Sequence, residues 1–72
     1  MRMKQFDPEK LKKLREKKGL TWLELSRELK QFEPKISKNS VWSWETGAHS
    51  PSSKSLFALS AFFNKPVDYF LK

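Results

Sequence analysis

A closely spaced series of helix starts and stops constrains this chain more than any other feature. Asp7-Pro8-Glu9 supplies an N-cap side chain, a proline at the first helical position and an acid in the first turn, which together satisfy free amides and suit the positive end of a helix dipole. Leu11 and Leu14 follow at helical spacing, and Gly19 after Lys17-Lys18 predicts the stop. Thr21-Trp22-Leu23-Glu24 has the capping-box form at the head of a second helix, with Trp22, Leu25 and Leu29 on one stripe. Pro34 turns the next stretch into a connection. Ser37 then caps a third helix, Lys38 to Thr46, whose inward side is Val41 and Trp44 and whose stop is Gly47.

Ala48-His49-Ser50-Pro51 reads as a loop before a fourth helix from about Ser53 to Phe63, with Leu56, Leu59, Phe62 and Phe63 on its apolar side and Asn64 as a left-handed stop. A short fifth helix is expected from near Pro66, carrying Val67, Phe70 and Leu71. Nowhere do apolar and polar residues alternate over the length a strand needs, and no repeat or low-complexity tract interrupts the series. The expectation is an all-α, compact five-helix bundle forming one domain over residues 8–71, preceded by an N-terminal arm, residues 1–7.

With 72 residues the chain has room for one small core, which buries only about 60% of the surface the unfolded chain exposes. It has no cysteine and a single histidine, His49, so neither a disulfide nor a Cys/His zinc site can staple it. No apolar run approaches the roughly 20 residues of a membrane span, and the first residues carry no signal-peptide apolar stretch. The sequence therefore reads as soluble, intracellular and cytoplasmic, with no membrane association through a span.

Fifteen Lys and Arg against eight Asp and Glu leave a net charge of +7. An excess of this size points to a polyanion, either nucleic acid or an acidic membrane surface, or else to an ordinary solvated lysine-rich exterior. Residues 1–18 alone hold eight basic and three acidic residues. Catalysis finds little support. Glu24, Glu28, Glu33 and Glu45 are accounted for by caps or ion pairs, His49 has no partner in sequence, and Ser50 and Ser52 lack the strand-turn-helix setting of a nucleophile. Gly19 and Gly47 are isolated stops rather than a phosphate-cradling loop. No enzyme activity, cofactor, metal or small-molecule ligand is expected.

The third helix opens with Ser37-Lys38-Asn39-Ser40, small or polar side chains that leave its first turns uncovered by core residues. Such a face fits the major groove of DNA, where Asn can pair with adenine and Lys with guanine. A plain solvated helix face can carry the same residues.

The motifs in this order are similar to those of the Cro/C1-type, or Xre-type, helix-turn-helix family, the phage-repressor-like DNA-binding domains. The stretches are Leu11-Lys12-Lys13-Leu14-Arg15, Gly19-Leu20-Thr21-Trp22-Leu23-Glu24-Leu25, Ser37 to Val41, Trp44-Glu45-Thr46-Gly47, Ser50-Pro51-Ser52 and Val67-Asp68-Tyr69-Phe70-Leu71. The resemblance implies a lambda-repressor-like fold and a transcriptional regulator, a repressor, that binds double-stranded DNA sequence-specifically, commonly as a homodimer on a two-fold operator. It implies base-reading positions at Lys38, Asn39, Ser40 and Ser43. Phosphate contacts are implied at Thr21, Trp22, Ser37, Thr46, His49, Ser53 and Lys54, where helix N-termini offer ready anion sites. It further implies a structural salt bridge between Arg15 and Glu45, and a dimer contact drawn from Val67, Tyr69 and Phe70.

Two departures stand out. A helix-turn-helix joins its helices through a turn of about four residues, whereas Leu29 is followed by Lys30-Gln31-Phe32-Glu33-Pro34-Lys35-Ile36 before Ser37. Phe32 and Ile36 are expected to tuck against the core, leaving Lys30 and Lys35 for backbone contacts. Large apolar residues also stand where polar ones are usual: Trp22, Leu23 and Trp42. The two tryptophans either pack, chiefly under the inserted segment, or touch DNA sugars or a thymine methyl. A function of another class also fits the same pattern: a protein-interaction module such as an antitoxin or coactivator helix-turn-helix domain. RNA binding is weaker, because no stacking sheet is present.

Overall fold

A computed structural model describes residues 5–72. Four α-helices, α1 (Pro8–Lys17), α2 (Trp22–Leu29), α3 (Lys38–Thr46) and α4 (Ser53–Phe63), are followed by one 3-10 turn, Val67–Phe70. The expected fifth helix is thus four residues of 3-10 geometry rather than an α-helix. Pro66 caps it without a side-chain bond and Leu71 is already extended, so too few residues lie between them to close an α-helical ladder.

Each helix begins where its cap dictates. Asp7 accepts from the Glu9 amide, Thr21 and Glu24 form the reciprocal capping box, Ser37 accepts from the Ser40 amide and Ser52 from the Ser55 amide. The α1 stop places Gly19 at φ +70°. There the Leu20 amide reaches back to the Arg15 carbonyl at 3.2 Å and the Gly19 amide to the Glu16 carbonyl at 2.9 Å, the paired bonds of a Schellman ending. Gly47 and Asn64 end α3 and α4 in the same left-handed region.

The core draws on every element: Leu11, Leu25, Leu29, Ile36, Val41, Trp44, Ala58, Leu59, Phe63 and Phe70 are all buried. Each large side chain removed from water contributes roughly 1.5–3 kcal/mol. The buried hydroxyls of Ser26 and Ser55 are hydrogen-bonded, to the Leu23 carbonyl and to the Ser52 hydroxyl. The helices pack chiefly as α2 against α3, with α1 also against α3.

Within the expected arm, residues 5–7 are not free. Phe6 forms an antiparallel bridge with Leu71, the Asp7 amide donates to the Phe70 carbonyl at 2.7 Å and the Lys72 amide to the Gln5 carbonyl at 2.8 Å. The Phe6 ring stacks on Phe70 with centroids 6.4 Å apart. The rest of the arm, residues 1–4, lies outside the described residues.

The longer α2–α3 connection turns twice. The Phe32 and Glu33 amides close on the Leu29 carbonyl, and the Ile36 amide closes on the Glu33 carbonyl. Ile36 is buried as expected, but Phe32 is 47% exposed. The first turn directs Phe32 outward and Ile36 alone anchors the segment.

Candidate nucleic-acid interface

The outer face of α3 opposes its buried residues, Val41 and Trp44. Lys38 and Asn39 are exposed in its first turn, with Ser40 and Ser43 half-buried beside them. Asn39 sits at the border of two shallow grooves. One is lined by Trp22, Lys38, Asn39 and Trp42, the other by Asn39, Ser40, Ser43, Trp44 and His49. The four expected base-reading residues therefore gather on one surface, together with His49 from the following loop. Lys35 and Lys54 line a third groove that also reaches Ser40, so the connection and the start of α4 flank the same end of α3. Ser53 is exposed in the first turn of α4.

Several hydroxyls expected at phosphates already have partners within the protein. Thr21 Oγ1 accepts from the Glu24 amide at 3.1 Å while the Thr21 amide donates to Glu24 Oε1 at 2.8 Å. The bond from the Thr21 amide, and after it the Thr21 side chain, hold the Glu24 carboxyl below its ordinary value. The Trp22 and Leu23 amides take no part in the capping box. Ser37 Oγ caps α3 and lies 3.3 Å from Ser40 Oγ. The Thr46 hydroxyl donates to the Trp42 and Ser43 carbonyls of its own helix, so its proton is turned away from any external acceptor.

Behind this surface, Glu45 joins three helices. Arg15 donates from Nε to Oε2 at 2.6 Å and from its terminal nitrogen to Oε1 at 3.0 Å, and a further nitrogen reaches the Leu20 carbonyl at 2.8 Å. The side chains are only 12% and 4% exposed, and the bonds to Glu45 hold the guanidinium above its ordinary value against the opposing effect of burial. The Trp22 indole N–H also donates to Glu45 Oε1, at 3.2 Å, and its ring lies 5.8 Å from the Arg15 guanidinium carbon. The indole N–H is therefore directed inward. No local pattern signals this bond, which spans 23 positions.

Neither tryptophan is buried beneath the connection. Trp22 and Trp42 are 38% and 44% exposed and line the first groove with Lys38 and Asn39. Trp42 lies one turn after Lys38, on the outer side of α3. At the far end of the chain, Phe70 is fully buried, which removes it from the expected dimer contact; Val67 and Tyr69 remain half-buried. The Tyr69 ring carries the Lys10 and Lys65 ammonium groups at 5.3 and 5.1 Å. An apolar residue the helical stripe does not indicate is Phe57, one position after Leu56 on α4 and 66% exposed.

A helix-turn-helix family model matches residues 11–70. The chain belongs to the Cro/C1-type helix-turn-helix family. Among solved structures, this family member is similar to the P22 c2 repressor protein, crystallised in complex with a synthetic operator in the presence of Tl+. The two share 25% identity over 94% of this chain and 96% of that one, with a TM-score of 0.75. No curated protein sequence matches the chain. Among the described residues, no helix is long and apolar enough to cross a membrane, and no three potential metal-ligating residues converge.

Proposed function

We propose that this helix-turn-helix protein is a cytoplasmic transcriptional repressor that binds duplex DNA sequence-specifically through α3 in the major groove. The observation that carries this reading is the outer face of α3. Lys38, Asn39 and Ser43 stand together, uncovered by the core, on a fold shared at TM-score 0.75 with a repressor bound to its operator. Asn39 and Lys38 read base edges, with Ser40 and Ser43 accommodating their neighbours. The Trp22 amide at the start of α2 and Ser53 and Lys54 at the start of α4 contact phosphates, joined by His49. Thr21 and Ser37 contribute by capping the helices that present these groups. Arg15 and Glu45 hold α1 against α3, and no chemistry is catalysed.

One module of this size covers about 600–1,000 Å² of protein surface on DNA, so high specificity favours two copies on a two-fold operator. Val67 and Tyr69 supply the self-contact. Sedimentation with and without DNA tests it: a doubled protein mass on a two-fold site supports the dimer, and one copy per site at saturation contradicts it.

A gel shift with mixed-sequence duplex tests the reading as a whole. Binding that weakens steeply between about 50 and 200 mM salt is expected from displaced counterions. Absence of a shift at every salt concentration contradicts DNA binding and favours a protein partner for this face.

A further inference from the structure

The geometry points to the cleft between Trp22 and Trp42 as a receptor for the 5-methyl group of a thymine, so that apolar contact rather than hydrogen bonding specifies one base pair of the site. The inference rests on the duplex-DNA reading of α3 and assigns a ligand to the two indole surfaces, which that reading leaves unused.

Three observations converge on it. First, both indoles are substantially exposed although they are the largest apolar side chains on this face. An apolar surface that the fold leaves in water is available to a partner at no cost in core packing. Second, one wall is held in place before any ligand arrives. The Trp22 indole N–H is bonded to Glu45 Oε1 at 3.2 Å and its ring lies against the Arg15 guanidinium, so little side-chain freedom is left to lose on binding. With that donor turned inward, what Trp22 presents to the cleft is ring surface. Third, Lys38 and Asn39 form the remaining walls. Side chains of those types pair with base edges in the major groove, where thymine is the one base to carry a methyl group. The thymine methyl and the purine acceptors lie side by side there, which matches apolar walls abutting polar ones.

The test uses a duplex selected by the full chain from a random library. Each thymine is replaced singly by deoxyuridine, which deletes the methyl and nothing else, and affinities are compared for the unaltered protein, Trp42→Ala, Trp42→Gln and Trp42→Leu. For the unaltered protein, one thymine is expected to weaken binding by about fourfold when demethylated, the factor that burial of a single methyl-sized group is worth. That sensitivity should vanish in Trp42→Ala and Trp42→Gln and persist in part in Trp42→Leu. The exposure of Trp42 leads us to expect all three variants to fold, which circular dichroism checks.

Sensitivity at no thymine, or equal sensitivity in Trp42→Ala, would overturn the inference while leaving α3 as a reading helix, whereas binding to single strands as tight as to the duplex would overturn the major-groove reading and the inference together. Failure to select any duplex would remove the DNA reading itself, and the inference with it.

Discussion

At Glu45 one carboxylate serves α1, α2 and α3, since it accepts from Arg15 twice and from the Trp22 indole. Removing one partner of a buried pair leaves the other charge without compensation. Glu45→Ala should therefore destabilise the fold by about 2–3 kcal/mol in urea unfolding. Arg15→Lys should not fully restore the native midpoint, because an ammonium cannot reproduce the two-pronged contact. The Arg15–Glu45 pairing can be expected from the motif order, but the Trp22 bond cannot: it depends on how two helices dock. Glu24 offers a separate residue-scale check. Its folded pKa lies below its ordinary value, so between the two values the unfolded chain binds more protons and stability rises with pH. The capping-box contribution should be complete above the ordinary glutamate range and lost as the pH falls through the depressed value. Glu24→Gln, which keeps an acceptor without a titrating group, should flatten that part of the stability-against-pH curve.

Among the elements, helix starts are legible because caps join residues only two or three positions apart. Gly47 illustrates the local rule. Its φ of +82° is strained for any side chain although a Cβ there meets nothing within 4 Å, and Gly47→Ala should cost about 1–2 kcal/mol by thermal or urea unfolding. Where the outcome depends on docking, the sequence is less explicit. Phe32 and Ile36 are equally apolar and only four positions apart, yet one is exposed and the other buried, since two successive turns set their directions. Phe70 belongs to the core rather than to a self-contact because residues 5–7 fold back across it. The outward residues of α3 are legible for the opposite reason: Val41 and Trp44 fix which side faces inward, and the helical period fixes the rest.

Across the whole molecule, the bridge between Phe6 and Leu71 ties the two ends of the described chain over Phe70. The charge distribution separates attraction from recognition. Arg15 is paired internally, and Lys10 and Lys18 lie over Tyr69 and Phe62. α3 carries one cation, Lys38, and one anion, Glu45, and that anion is paired with Arg15. On the proposed reading, the net +7 draws DNA in from a distance, whereas Lys38, Asn39, Ser40 and Ser43 on α3 distinguish one sequence from another. Lys54→Ala should accordingly weaken binding by a similar factor on every duplex and reduce the salt slope by about one phosphate's worth. The measurement that bears most directly on this account is site selection from a random duplex library, run in parallel with the unaltered chain and Asn39→Ala. A defined motif is expected for the former and the same motif with one position relaxed for the latter, at a cost of about 1–3 kcal/mol on the original site. Enrichment of no motif, or an equal loss of affinity by Asn39→Ala on all sequences, would contradict it.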